Sequence, residues 1–148
     1  MGSSRNDKRQ LGEVVTISRS PENLPQSTTS SLFTISGDVE IISIRGQVTT
    51  AIQAQANNAK LGFDAGGGSI DICTNLDING DVQNSFYSIT GTVTDALINA
   101  TTPPNVLPEP LVLSTGDIDF TCSASSTGQI AWRVTYRALE DGAAITTA

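Results

Sequence analysis

The longest uninterrupted periodic stretch in the chain, Asp38 to Asp64 (DVEIISIRGQVTTAIQAQANNAKLGFD), restricts the fold more than any other segment. Read at period two, Ile42, Ile44, Gly46, Val48, Thr50, Ile52, Ala54 and Ala56 fall on one side. Ser43, Arg45, Gln47, Thr49, Gln53 and Gln55 fall on the other, as in a half-buried strand. A helix competes, because Ile44, Val48, Ile52 and Ala56 also recur every four residues, but a helical stripe through them drags in glutamine. The β-branched cluster Val48, Thr49, Thr50 and Ile52 favours the strand. Strands usually run about five or six residues, so a bend or break is expected near Gly46.

Composition supports the same class. Ile, Val and Thr together supply 41 of 148 residues and Lys only two, a bias toward strands rather than charged surface helices. The length suits one domain with a real core. Charge is uneven: residues 1–20 carry four basic and two acidic side chains, whereas the remainder carries four basic and thirteen acidic. An acidic body repels phosphate, so nucleic acid is not an expected partner of the folded part. A basic, polar N-terminus suits docking on an acidic partner or a solvated terminus. No apolar run approaches the roughly 20 residues of a membrane span, and MGSSRNDKRQ lacks a signal-peptide core, so neither export nor a membrane is expected.

Taken in order, residues 1–28 read as an arm with one short strand around Val15 and Ile17, followed by SPENLPQSTTS, where two prolines and a polar cluster forbid regular structure. An arm of this kind is more naturally explained by a neighbouring chain than by its own body. Its candidate contact residues are Arg5, Lys8, Arg9, Val15, Ile17 and Arg19. SLFTIS and the Gly37-Asp38 pair read as a hairpin into the central stretch. Gly66, Gly67 and Gly68 read as a tight reversal rather than a phosphate cradle, which needs a following helix and usually a lysine. In LDINGDV, Asp77, Asn79 and Asp81 alternate, but the glycine precedes the third of them and no closing glutamate follows, so a hairpin turn is preferred to a calcium loop. Tyr87, Ile89 and Val93 share one side of a strand, Gly91 marks a bend, and Asp95 to Ile98 allows one helical turn before Pro103-Pro104. Ile118, Phe120 and Cys122 point inward, and Ile130, Trp132, Val134 and Tyr136 form the clearest alternation, with Trp132 as a core anchor. The phase of SIDICTNLDI puts Ile70, Ile72, Leu76 and Ile78 inside and Cys73 outside, which predicts two free thiols.

Eight or nine strands with short turns imply an all-β protein, an antiparallel β-sandwich, jelly-roll-like, with an extended N-terminal arm. The expected divisions are residues 1–28 (arm), 29–140 (sandwich) and 141–148 (C-terminal tail). No histidine occurs, which removes imidazole acid–base chemistry, His-based triads and the commonest zinc ligand. Asp117 and Asp119 share one strand face about 7 Å apart, both expected to face solvent, where neither is tuned for acid work. The chain is therefore not expected to be an enzyme, and no cofactor or metal is expected.

Two stretches, VTTAIQAQANNAKLGFDAGGGSIDICTNLDINGDVQNSFYSITGTVTDAL and SSTGQIAWRVTYRAL, resemble small virion proteins of tailed bacteriophages, of the head-decoration or cement kind. The resemblance covers roughly Leu32 to Leu139 and leaves out the basic extension. It implies a β-rich domain on the outside of the phage head, made in the host cytoplasm, that bridges major capsid protein subunits. It also implies a homo-oligomer, with a trimer preferred to a dimer. Arg133 and Arg137 are candidates for a second contact. A different class also fits the sequence: a receptor- or carbohydrate-binding module of a tail or fibre, using Asn57, Asn58 and the Pro103 to Pro110 loop.

Overall fold

The computed structural model describes residues 12–100 and 107–148. Two antiparallel sheets face each other. The first is built on β1 (Val14–Ser18), β12 (Gln129–Ala138), β4 (Val39–Thr50), β8 (Phe86–Ser88) and β9 (Ile98–Ala100), in that order, with β2 (Glu22–Asn23) against β12 and β10 (Leu111–Leu113) against β4. The second runs β13 (Ala144–Thr147), β3 (Thr29–Ser36), β11 (Gly116–Cys122), β5 (Asn58–Asp64), β6 (Ser69–Asp71), with β7 (Leu76–Asp77) against β5. The principal strands alternate between sheets along the chain: β1, β4, β8 and β12 in one, and β3, β5 with its hairpin partner β6, and β11 in the other. The orders β1-β12-β4-β8 and β3-β11-β5-β6 are those of a jelly roll. The fold class expected from the sequence is the one found.

Strand β12 shows why. Its even-numbered residues from Ile130 to Ala138 are buried and its odd-numbered ones are half-buried or exposed, so the alternation read from the sequence is the face assignment itself. Strand β4 differs in phase. The ladder to β12 slips so that Thr135 faces Ser43 while Tyr136 faces Ile41, leaving Ile42 as a bulge residue. Ile41, not Ile42, therefore enters the core, and the break expected at Gly46 lies at Ile42. A second slip, where Ile118 faces Phe33 and Asp119 faces Ser31, makes Leu32 the extra residue and turns both Leu32 and Phe33 inward.

Trp132 is 2% exposed and sits between the sheets, its ring 5.1 Å from Phe120 and 6.5 Å from Tyr87. It faces Gly46 across the ladder. A Cβ at residue 46 would come within 2.9 Å of the indole, so the glycine makes room for the ring.

Several expectations need correction. β3 and β4 are not a hairpin: Gly37-Asp38 carries the chain from the second sheet to the first. Residues 12–28 and 141–148 do not form an arm and a tail outside the sandwich, since β1, β2 and β13 are strands within it. No helical turn forms at Asp95; the chain passes through turns into β9. Val93 and Ile70 are exposed, the latter at 65%: Ile70 is the middle residue of the three-residue edge strand β6, all of which is exposed, and Val93 lies beyond the end of β8, where strict alternation no longer governs the side chains. For the same reason Ile72 and Cys73, just past β6, are both buried. Cys73 is thus inside rather than outside, and both thiols are free. Burial raises Cys73 to about 11 and Cys122 to about 12, so neither is a thiolate near neutrality.

Candidate interaction surface

The six residues expected to touch a partner are divided by the structure. Arg5, Lys8 and Arg9 lie outside the described residues. Val15 and Ile17 belong to β1, which pairs with β12 of its own body from Val14 opposite Arg137 to Ser18 opposite Arg133, and both are half-buried against the core. Arg19 follows β1 with its side chain only 11% exposed. Its Nη1 donates to the carbonyls of Leu32 at 2.7 Å and Ala148 at 2.9 Å, and its Nη2 to Glu22 Oε1 at 2.7 Å. These three side chains therefore close the sandwich on itself. Pairing with β12 uses one edge of β1 within the same chain, an outcome that the local sequence of an isolated strand cannot reveal.

Beside Arg19 is a cavity of about 140 Å³ between the β2 segment and the core, lined by Leu24, Ser31, Leu32, Phe120 and Trp132 among others. The cation at its rim is already neutralised by Glu22.

The candidate polar loops are likewise engaged. Asp64 Oδ1 accepts the N–H groups of Gly66 and Gly68 at 2.7 and 3.2 Å, so the glycine turn between β5 and β6 already holds a carboxylate. Asp77 Oδ1 accepts from the backbone of Asn57 and Asn79. Asp81 Oδ2 accepts from Tyr87 and from Asn99; burial raises both the Asp81 carboxyl and the Tyr87 phenol. Asn57, a residue of the carbohydrate reading, is buried. Its amide donates to Ser126 Oγ and the Ala124 carbonyl and accepts from the Ala124 N–H, so it pins two loops together rather than presenting itself to a ligand.

Asp119 is a second correction. It was expected in solvent beside Asp117 but is 3% exposed. Gly62 stands opposite it on β5, with no side chain to displace it, and Ser69 Oγ donates to it at 2.9 Å. Desolvation, with Asp64 and Asp117 adding to it, raises its carboxyl pKa. The controlling signal, a non-local Gly62 partner, was present in the sequence but unreadable without the register.

Charge separates by face. On the outside of the first sheet, Arg45 of β4 stands directly opposite Arg133 of β12. The Arg45 guanidinium lies 5.9 Å from the centre of the Phe86 ring, Arg133 Nε donates to Ser18 Oγ at 3.0 Å, and Arg137 pairs with Glu40 at 3.1 Å. On the outside of the second sheet, Asp64 of β5 stands directly opposite Asp117 of β11, next to Asp119, while Lys60 pairs with Asp71 at 2.9 Å.

No protein family model matches the sequence, and no curated protein matches it. Among solved structures, the chain is similar to a structure of the infectious bursal disease virus Gt strain, with 12% identity over 95% of this chain and 37% of that one and a TM-score of 0.18. It is similar also to the infectious bursal disease virus VP2 subviral particle, with 14% identity over 94% of this chain and 37% of that one and a TM-score of 0.19. The chain thus spans little more than a third of the structures it matches, and likenesses this slight carry no argument about its role.

Proposed function

We propose that this chain is a virion structural protein, a decoration or cement protein that sits as a homo-oligomer on the outer surface of a phage head and bridges major capsid protein subunits. The observation that carries the reading is that the two stretches resembling such proteins, residues 48–97 and 125–139, fold into one two-sheet body. Strands β4, β5, β8 and β12 all come wholly or partly from them. A compact jelly roll with short turns suits a passive staple, which must transmit load between neighbours without changing shape. The basic residues Arg5, Lys8 and Arg9 precede β1 in the chain, where charge contacts with an acidic shell would add to those of the body.

The test is cryo-electron microscopy of purified, tail-free phage capsids incubated with the full chain or with a chain lacking residues 1–11. That boundary leaves β1 intact, so lost binding is not lost folding. Density on the shell at symmetry-related positions, weakened by the truncation, is the expected result. A bare shell, with density only when tails are present, overturns the proposal in favour of a tail or fibre module.

A further inference from the structure

Two like-charged pairs, of opposite sign, stand on opposite outer faces of one sandwich. Side chains directly opposite on an antiparallel pair lie within about 4.5–5.5 Å at Cβ, close enough for like charges to repel. Arg45 and Arg133 form such a pair, and neither makes a salt bridge with another described residue. Asp64 and Asp117 form the other. The distribution is not what a uniformly acidic body would give: of the four basic residues after residue 20, three (Arg45, Arg133 and Arg137) are on the outside of the first sheet. Asp64, Asp71 and Asp117 are on the outside of the second; Arg137 and Asp71 are already paired on their own faces, with Glu40 and Lys60, which leaves the two like-charged pairs as the charge each face offers. Like charges directly opposite each other repel; the Gly66, Gly68 and Ser31 donors on the acidic pair and Ser18 and Phe86 on the basic pair offset part of that cost, and opposite charge brought from outside would offset more.

We infer that these two faces bind one another between copies of this chain, Arg45 and Arg133 of one copy seating on Asp64 and Asp117 of the next. A second copy is the occupant that the charges specify, because the complementary patch is already on the same molecule, and the net acidic body disfavours a polyphosphate occupant. The contact is heterologous. Its two halves face in opposite directions, so it repeats as an open stack and differs from a closed trimer. The inference does not rest on the virion reading.

Sedimentation velocity of the full chain over a range of concentrations tests it. At about 0.01 M salt, where the Debye length is about 30 Å, the sedimentation coefficient is expected to rise with concentration; at roughly 1 M salt, where it is about 3 Å, the chain is expected to sediment as one small species. Two variants keep the core and reverse or remove one patch each: Arg45→Glu/Arg133→Glu, and Asp64→Asn/Asp117→Lys, in which the introduced amide oxygen still accepts the turn N–H groups. With folding verified by circular dichroism, each alone is expected to lose the low-salt association and an equimolar mixture to regain it. A wild-type chain that stays monomeric at low salt, association that persists at high salt, or variants that associate like the wild type would each overturn the inference.

Discussion

Gly46 lacks a side chain where the face of Trp132 fills the space that one would take. A methyl group there must push against a ring already bounded by Tyr87 and Phe120. Gly46→Ala is therefore expected to destabilise the fold by about 1–3 kcal/mol, the usual range for an overpacked core, as a lower urea midpoint with unchanged slope. Trp132→Leu in the same chain should recover part of the loss, a non-additivity that marks direct contact. Asp119 is the opposite case, a polar residue inside. Because its carboxyl is raised in the folded state, its contribution is most favourable below the unfolded value, near 3.8, and is lost as pH rises through the higher folded value. Asp119→Asn, which keeps an acceptor for Ser69, should be at least as stable as wild type at pH 7. It should lose most of that advantage when thermal unfolding is repeated at about pH 3.5, below the unperturbed aspartate value. Trp132 was legible as an anchor from the alternation around it; Asp119 was not, because its burial depends on Gly62 more than fifty residues away.

At the scale of elements, what the sequence hides is the bulge. A single extra residue at Ile42 or Leu32 leaves the apolar content of its strand unchanged and reverses the side that each following residue faces. Alternation was thus readable within β12, which is regular over its apolar core, and misleading across β4. The short strands were misleading too, since two or three residues do not define a face. Strand β1 was found but assigned to another chain, because nothing local distinguishes an edge strand that pairs at home from one that pairs abroad. Its place on β12 has a measurable consequence. A chain lacking residues 1–18 should melt about 5 °C or more below one lacking residues 1–11, from roughly 2 kcal/mol of half-buried Val15 and Ile17 surface. Equal melting temperatures by circular dichroism would mean that β1 contributes nothing.

For the whole molecule, the class and the two-layer architecture were legible because they follow from many strands with short connections and no crossover helices. The surface was less so. Net charge describes a sum, whereas the separation of Arg45 and Arg133 from Asp64 and Asp117 needs the register of four strands that are distant in sequence. The same register also fixes a timetable. Strand β12 lies between β1 and β4, and β11 lies between β3 and β5, so the centre of each sheet is the last major part to leave the ribosome. At about 5–20 residues per second, the earlier strands spend seconds with their edges open, and closing so many non-local pairs is slow. The nascent chain therefore carries unpaired strand edges until residue 138 has emerged, and a fragment truncated before β11 lacks the central strand of each sheet.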